Sequence, residues 1–230
     1  RMVDNGNGAS SGLKKVRLKM PVQVEDLRDL EVGTVVYLDG VLYTGREGLY
    51  NKLLIERDEP PVPLQSISNV NFHCSPAASV HDDGGYEMGA VTATASFRFS
   101  KYLNEWFEMS KCKMIIGKGG MSVEDYKTHF VPNDAIYLTT VGYGTGALLG
   151  RGIKHIDVHW LEELGIAQAM WVLTVENFGP FLVESDLQGN SLFEQQNRIV
   201  NERVEETYRG LKPPALKRYG ETTSRDDEVV

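Results

Sequence analysis

The feature that most constrains the fold is the alternation of short β-rich runs with amphipathic segments along the chain. Lys113–Ile116 and Ala135–Val141 are rich in residues that favour strands, whereas the apolar residues of Phe99–Met109 recur at helical spacing. Strands and helices that alternate in this way are typical of a mixed α/β domain with a central sheet, rather than of a bundle or a sandwich. The proportions of hydrophobic (41%) and charged (24%) residues are those of an ordinary globular protein.

Two adjacent segments carry specific local signals. Val35–Leu38 and Val41–Thr44 flank Asp39-Gly40, a pair that favours the two-residue turn of a β-hairpin. Helical spacing of leucines predicts a helix over Arg46–Arg57, and its first side chain is well placed to bind an anion. Further strands are predicted at Val70–Cys74, in the run that ends with Thr92–Ala95, and at His155–His159, Met170–Val175 and Phe181–Glu184, with a last helix at Ser191–Arg209.

The expected domain spans residues 13–212, between a flexible leader (1–12) and a flexible charged tail (213–230). No apolar run approaches the roughly 20 residues of a membrane span, and residues 1–11 lack the apolar core of a signal peptide. We therefore expect a cytoplasmic protein with no membrane partner. The formal net charge of −8 disfavours nucleic-acid binding, which needs a clustered basic face, but leaves room for a small anionic substrate.

Cysteine and histidine usage predicts no metal site. Cys74 and Cys112 are too few for a disulfide framework, and a four-iron cluster with an open iron needs three thiolates. His155 and His159 share one face of a predicted strand, where a structural or exposed role is favoured over metal ligation. His73 and Cys74 are neighbours on a strand and point to opposite faces, which argues against a catalytic dyad.

Two short segments could bind an anion. Lys118 lies between glycines after a buried strand, although Gly119 directly after it breaks the Walker A spacing; a solvated lysine on a turn is the alternative. Thr94, Ser96 and Arg98 alternate along a predicted extended segment, so all three could face a common pocket where the arginine binds a carboxylate. Surface hydroxyls on an ordinary β-segment are the alternative interpretation.

Gly142, Gly144 and Ala147 match a dinucleotide-binding fingerprint in form. The match is weak, because Asp157 comes sooner than the acidic residue of that fingerprint should. A tight strand-to-helix turn is the favoured interpretation.

Five motifs, taken in order, resemble the beta subunit or C-terminal domain of the iron-sulfur (class I) fumarate hydratase and L(+)-tartrate dehydratase family. The resemblance extends over about residues 22–194. The segments are Val32–Glu47 (similar to VGD-VVY-SG-IYT-ARD), Thr92–Ser100 (GPTTSGRMD), Met114–Gly119 (MIGKG), Val141–Leu149 (VGGAAALL) and Glu163–Phe178 (ELGMEAIWK-EVEDFP).

The resemblance implies a single swivelling β/β/α domain with a mixed central sheet. It implies a beta subunit of a heteromeric hydro-lyase that reversibly hydrates and dehydrates a 2-hydroxy (di)carboxylic acid, such as malate/fumarate or tartrate. The chain itself would bind no cofactor, and a [4Fe-4S] cluster would be carried by an iron-sulfur alpha subunit, with iron as Lewis acid. The assembly would be a homodimer or a heterotetramer.

The resemblance also implies residue roles. Thr94 would be catalytic, and Lys118 would be catalytic and bind substrate. Arg46, Arg98 and Ser96 would bind the substrate carboxylates.

The same motifs contain departures from the family pattern, at Glu47, Tyr50, Ala95, Phe97, Phe99 and Ser100. Loss of a histidine at Tyr50 and two added phenyl groups beside the arginine would change the pocket and its proton relay. Two hypotheses follow: a hydro-lyase for a larger or less polar hydroxy acid, or a non-catalytic structural or regulatory partner of the alpha subunit.

Overall fold

The structure is a computed structural model that describes residues 2–3, 12–142 and 145–210. It divides into one compact unit that ends at Phe193 and a second that begins at Glu194, and each is described by itself. Gly144 and the predicted tail at 213–230 lie outside the described residues.

The described strands and helices alternate along the chain, as the sequence predicts. The strands are β1 (Met2–Val3), β2 (Lys15–Lys19), β3 (Val35–Thr44), β4 (Val70–Phe72), β5 (Cys74–Val80), β6 (Tyr86–Ala93), β7 (Met114–Gly117), β8 (Ile136–Thr140), β9 (Ile153–His159) and β10 (Met170–Ser185). The α-helices are α1 (Val24–Leu27), α2 (Glu47–Tyr50), α3 (Leu64–Ile67), α4 (Leu103–Ser110), α5 (Val123–Asp125), α6 (Gly146–Arg151), α7 (Leu161–Leu164) and α8 (Leu192–Tyr208). Short 3₁₀ segments lie at Phe97–Tyr102 and Val131–Asn133, and π-helical segments at Asn51–Ile55 and Tyr126–Phe130.

The main sheet closes on itself. Strands β3, β4, β7 and β8 pair in parallel in that order, and β10 pairs antiparallel with both β8 and β3. The five strands therefore form a ring, from which β2 continues beside β3 and β9 beside β10. The expected α/β domain with a mixed central sheet is confirmed.

Strand periodicity divides the core into two apolar clusters. On β7, Met114 and Ile116 belong to one cluster, which draws residues from all five strands of the ring and therefore fills its interior. Ile115, which lies between them, belongs to the second cluster together with Leu49 of α2 and Trp106 of α4. The ring thus has a filled interior and an outer layer covered by helices.

The hairpin predicted at Asp39-Gly40 is wrong, because Val35–Thr44 is one continuous strand. Both of its edges are used: β10 pairs along one edge, and β2 and then β4 along the other. A tight turn would break these ladders. Gly40 instead adopts a φ of 110°, while the Asp39 carbonyl accepts a hydrogen bond from the amide of Met20 at 2.7 Å.

The two strands predicted at Met170–Val175 and Phe181–Glu184 are likewise parts of one strand, β10. The pairing register with β3 shifts between Val175 and Phe181, where Asn177 and Gly179 have φ values of 49° and 156°. The break seen in the sequence is therefore a pair of irregularities inside a strand.

The predicted helices are confirmed. The segment at Arg46–Arg57 forms α2 and the π-helical Asn51–Ile55, and the last helix is α8. Ser122 caps α5 through a capping box with Asp125. Among the described residues, no helix is long and apolar enough to cross a membrane.

We expect Gly40→Ala to destabilise the fold more than Gly84→Ala. Both glycines have positive φ, but a Cβ at Gly40 would lie 2.8 Å from the carbonyl oxygen of Met20, whereas Gly84 has no atom within 4 Å of that position. The strain common to both sites costs on the order of 1 kcal/mol, and the close contact at Gly40 adds to it. Urea unfolding of the two variants measures the difference; equal losses would contradict a destabilising contact between a Cβ at position 40 and the carbonyl oxygen of Met20.

Candidate functional site

The ends of three parallel strands place two of the predicted site residues, and one histidine that was not predicted, at one edge of the ring. Arg46 follows β3, His73 follows β4 and Lys118 follows β7. The register aligns Thr44 with Phe72 and Phe72 with Ile116, so the three strands end at nearly the same level. Polar side chains at the carboxyl ends of neighbouring parallel strands converge on one location, which is a common position for a ligand site in α/β proteins.

Two of the predicted cations are brought together there. Arg46 stands at the N-terminus of α2 and donates from Nη1 to the carbonyl oxygen of Ala167 at 3.0 Å. Its Nε is buried and has no hydrogen-bond partner in the described part of the chain. Burial, followed by the positive charge of Arg98, lowers the pKa of Arg46. Two neighbouring guanidinium groups, one with an unused donor, form a site that favours an anion.

The predicted extended segment through Arg98 is wrong in its second half. Strand β6 ends at Ala93, and Ser96 has helical backbone angles (φ −84°, ψ −25°) at the start of the 3₁₀ segment. The helical turn is stabilised by the Phe99 amide, which donates to the Ser96 carbonyl at 2.8 Å. As a result Thr94 and Ser96 are buried, whereas Arg98 is exposed and does not share their strand face.

Main-chain hydrogen bonds hold Thr94 on both sides. Its amide donates to the carbonyl oxygen of His73 at 2.7 Å, and its carbonyl oxygen accepts from the amide of Lys118 at 3.0 Å. Lys118 itself is exposed and lies between Gly117 and Gly119, the latter with a φ of 72°. The structure therefore sets the backbone of Lys118 directly beside that of Thr94.

A buried polar network below these residues was not foreseen from the sequence. His73 has no exposed surface; its Nε2 lies 2.6 Å from the hydroxyl of Tyr50 and its Nδ1 lies 2.7 Å from Ser96 Oγ. Asn71 Nδ2 donates to the Tyr50 hydroxyl at 2.8 Å, and the Tyr137 hydroxyl donates to Ser96 Oγ at 2.7 Å. Burial, followed by the charges of two nearby arginines (Arg46 and Arg98), lowers the pKa of His73 from 6.5 to about 3.

A signal for this network was present in the sequence. Asn71 and His73 alternate with Val70 and Phe72, so the two polar side chains face the same side of the strand. That side is the one under the helices, where buried polar groups need partners. Cys74 points the other way, into the ring interior, which confirms that it forms no dyad with His73.

Two departures from the family pattern meet at His73. The ring of Phe99 packs edge-on against His73 with centroids 4.7 Å apart, and the ring of Tyr50 does so at 5.9 Å. Both rings are buried, so Phe99 lies beneath the site, with the Arg98 guanidinium 5.6 Å from its centroid. Phe97 is different: its side chain is 68% exposed.

A buried carboxylate supports the loop that carries Lys118. Glu184 accepts hydrogen bonds from the hydroxyl groups of Tyr126 and Ser191, and the Tyr126 oxygen accepts from the amide of Met121 at 2.8 Å. Burial raises the pKa of Glu184. A Cβ on Gly120 would lie 3.1 Å from that carboxylate, so the loop passes directly over it.

The described residues do not fit an iron-sulfur cluster. They contain no group of three or more His, Cys, Asp or Glu side chains that could hold a metal ion. Cys74 and Cys112 are both buried, in different apolar clusters, and burial raises the pKa of the Cys112 thiol to about 12. A cluster that serves this site would need ligands from another chain.

The dinucleotide hypothesis remains a prediction. Gly142 has a φ of 69°, and the helix that follows, α6, has six residues. Gly144 lies outside the described residues.

A closed strand ring with an outer helical layer, and with polar residues gathered at one edge, defines the chain as a swivelling β/β/α domain. The chain belongs to the Fumarase C-terminus family, whose model matches residues 2–196.

Relatives carry names consistent with this family. The L(+)-tartrate dehydratase subunit beta of Escherichia coli K12 is 33% identical over 195 residues, which cover 83% of this chain and 92% of that protein. A Methanocaldococcus jannaschii protein, provisionally named L(+)-tartrate dehydratase subunit beta, is 34% identical over 184 residues, which cover 79% of this chain and 93% of that protein. A Geobacillus stearothermophilus protein, provisionally named fumarate hydratase class I, is 30% identical over 82% of this chain and 35% of its own length.

The pH dependence of the free energy of unfolding should reflect the protonation of His73. In the unfolded chain it titrates near 6.5, but in the folded protein it stays neutral until about 3. The contribution of the neutral His73 to the free energy of unfolding is therefore complete above about pH 6.5. As the pH falls from there towards 3, this contribution is lost at about 1.4 kcal/mol per pH unit. We expect the free energy of unfolding of His73→Gln to fall less steeply over this pH range than that of the parent protein. Urea denaturation of both proteins at several pH values measures this difference. Parallel curves would contradict a buried, neutral His73.

Proposed function

We propose that this chain is the beta subunit of a heteromeric hydro-lyase that reversibly hydrates and dehydrates a 2-hydroxy dicarboxylic acid, such as malate/fumarate or tartrate. Activity would require an iron-sulfur alpha subunit that carries a [4Fe-4S] cluster, in a cytoplasmic heterotetramer. The observation that carries the proposal is the proximity of Arg46 to Arg98 at the ring edge of a Fumarase C-terminus domain, with an Arg46 Nε that is buried and has no hydrogen-bond partner among the described residues.

The charges suit a small dicarboxylate. Each arginine can hold one carboxylate through two parallel hydrogen bonds, and bringing two guanidinium groups together is unfavourable until an anion lies between them. Lys118 adds a third, exposed cation on the next strand end. A dianion with two separated carboxylates would offset two of these three positive charges, whereas a monoanion would offset only one.

Thr94 is the candidate for proton transfer. Its backbone is held between His73 and Lys118, and its hydroxyl makes no side-chain hydrogen bond within the described residues. A threonine is a weak base, so we place beside it a carboxylate of the alpha subunit, which would take the proton onward. The cations would stabilise the negative charge that develops on the substrate carboxylate when the adjacent carbon loses its proton.

The cluster is assigned to the alpha subunit because the described residues of this chain do not fit its ligation. A heterotetramer with two copies of each subunit would satisfy this requirement, whereas a homodimer of this chain would still need the alpha subunit for activity. The names of the relatives from Escherichia coli and Methanocaldococcus jannaschii, both called subunit beta, support a partner.

A second candidate is a non-catalytic structural or regulatory partner of the same alpha subunit. The observation that favours it is the set of departures around the site, above all Phe97, whose ring is exposed beside Arg98. Glu47 and Ala95 also differ from the family pattern.

Substitution of Lys118 separates the two candidates. In the anaerobically purified complex with its alpha subunit, Lys118→Ala should lower kcat/KM by roughly 100-fold, because it removes a cation from the developing negative charge. The matched control is Lys154→Ala, which removes an exposed lysine of β9 and should leave kcat/KM unchanged. Turnover is followed by the ultraviolet absorbance of the dehydrated product.

Two results would contradict a catalytic beta subunit. One is an alpha subunit that turns over at the same rate without this chain. The other is a Lys118→Ala complex as active as the Lys154→Ala complex.

Phe97 should affect substrate choice rather than folding. Because its side chain is largely exposed, Phe97→Gly should change the free energy of unfolding by only about 1 kcal/mol. If Phe97 borders the substrate, the ratio of kcat/KM for tartrate to that for malate should shift, since glycine opens space beside Arg98. Competition assays of parent and variant measure the ratio; an unchanged ratio would place Phe97 outside the pocket.

A further inference from the structure

The direction of the Lys118 side chain depends on a short loop of glycines. The amide of Lys118 donates to the carbonyl oxygen of Thr94 at 3.0 Å, which fixes the start of this loop. Gly119 and Gly120 follow, and neither makes a main-chain hydrogen bond to another described residue. Glycine has more conformational freedom than any other residue, so a single anchor leaves the backbone free to turn at these two positions. A second anchor is needed beyond Gly120.

The second anchor is the hydroxyl group of Tyr126. Its oxygen accepts a hydrogen bond from the amide of Met121 at 2.8 Å, and its proton is donated to the carboxylate of Glu184. Because Glu184 takes the proton, the lone pairs of the phenol oxygen remain available to the amide. The ring has no exposed surface and packs edge-on against the ring of Phe130, with centroids 5.3 Å apart. The hydroxyl is therefore held in place both through its ring and through its proton.

The Glu184 carboxylate is itself fixed on both oxygens. Oε2 accepts from Tyr126, and Oε1 accepts from Ser191 Oγ at 2.6 Å and from the amide of Phe193 at 3.4 Å. Val183, the preceding residue, points into the ring interior, so the Glu184 side chain points to the opposite side, under the helices. The pairing register with β8 shifts at Glu184, which makes it the extra residue of a β-bulge, a feature that redirects a side chain. The sheet thus places the carboxylate at a fixed point below the loop.

Gly120 brings the loop into contact with both groups. A Cβ at this position would lie 3.0 Å from the Tyr126 hydroxyl oxygen and 3.1 Å from the carboxyl carbon of Glu184. Desolvation makes a buried carboxyl group unfavourable unless hydrogen bonds compensate for it, and an apolar side chain of the same size would carry no such cost. Packing alone therefore does not account for Glu184, whereas its contacts with Tyr126 and with the loop do.

We propose that Tyr126 is a positioning residue of the site: its hydroxyl anchors the loop that follows Lys118 and so aims the Lys118 ammonium at a carboxylate of the substrate. Tyr126 and Glu184 have no exposed surface, so they act through the loop and not by contact with the substrate. The part that concerns the substrate rests on the proposed hydro-lyase function. The anchoring of the loop does not depend on that function.

Amide hydrogen exchange tests the anchor without an assay of activity. In the full chain, Tyr126→Phe removes the acceptor of the Met121 amide, and we expect this amide to exchange about 10-fold faster, because one buried hydrogen bond is lost. The matched control is Tyr102→Phe, which removes a hydroxyl that donates to Asn51 Oδ1 at 2.9 Å. It should leave the exchange of Met121 within about 2-fold of the parent. An acceleration of Met121 in Tyr126→Phe no greater than that of Ile115, an amide of β7 that reports global unfolding, would overturn the proposal.

Kinetics of the complex with the alpha subunit test the effect on Lys118. Tyr126→Phe should lower kcat by about 10-fold and change KM by less than about 3-fold, because a misdirected ammonium stabilises the developing negative charge less well. The same substitution made in Lys118→Ala should lower kcat by no more than about 2-fold, since its effect passes through the lysine. Tyr102→Phe should leave kcat unchanged in both backgrounds.

Two kinetic results would overturn the proposal. One is an unchanged kcat in Tyr126→Phe. The other is a loss of kcat by the same factor with and without Lys118, which is the signature of a purely structural role. A complex inactive on every 2-hydroxy dicarboxylate would refute the proposed function instead, and the exchange of Met121 would still decide whether Tyr126 anchors the loop.

Discussion

The closure of the sheet by β10 is the interaction on which the rest of the structure depends. This one long strand pairs antiparallel with β3 along its length and with β8 near its end. Without it, β3, β4, β7 and β8 would form an open parallel sheet with two unpaired edges. With it, the apolar side chains of five strands share one interior, and the carboxyl ends of three parallel strands are fixed in register around the candidate site.

The site lies at one edge of this ring, and the polar network beneath it is buried among aromatic rings on the outer face. Burying these groups is unfavourable unless their hydrogen bonds are made, and here His73, Tyr50 and Ser96 each have partners on both sides of their polar atoms. The departure from the family pattern at Tyr50 is thereby accommodated: its hydroxyl completes the hydrogen bonding of a buried histidine. Phe99 packs against the same imidazole, so these two departures form one local arrangement.

The same network distinguishes the two hydroxyl-bearing residues of the segment that follows β6. Thr94 and Ser96 are two residues apart and chemically alike, yet only Ser96 lies within hydrogen-bond distance of two buried side chains, His73 and Tyr137. Arg46 and Arg98 supply the positive charge, and Lys118 adds to it from the neighbouring strand end. In the proposed complex these three cations would bind the substrate carboxylates, whereas the metal chemistry would belong to the alpha subunit.

Much of the fold could be read from local patterns. Apolar periodicity located the helices at Arg46–Arg57 and Phe99–Met109, and the motif order pointed to the family. The errors share one cause, because in each case a local signal was overridden by the surrounding structure. Strand pairing overrode the turn signal at Asp39-Gly40 and the break within β10, and a helical turn replaced the strand alternation after Ala93. Strand pairing joins residues far apart in the chain, and its free energy is not visible in a local window.

The sequence by itself determined the class of fold, the family, and which charged and hydroxyl-bearing residues were candidates, because these follow from periodicity and from motifs of adjacent residues. Only the tertiary structure decided that β3 is unbroken, that Arg98 leaves the strand face of Thr94, and that His73 lies beneath the site with Tyr50 and Tyr137. These outcomes depend on which groups are buried together and must therefore share hydrogen bonds, a requirement that arises when distant segments meet.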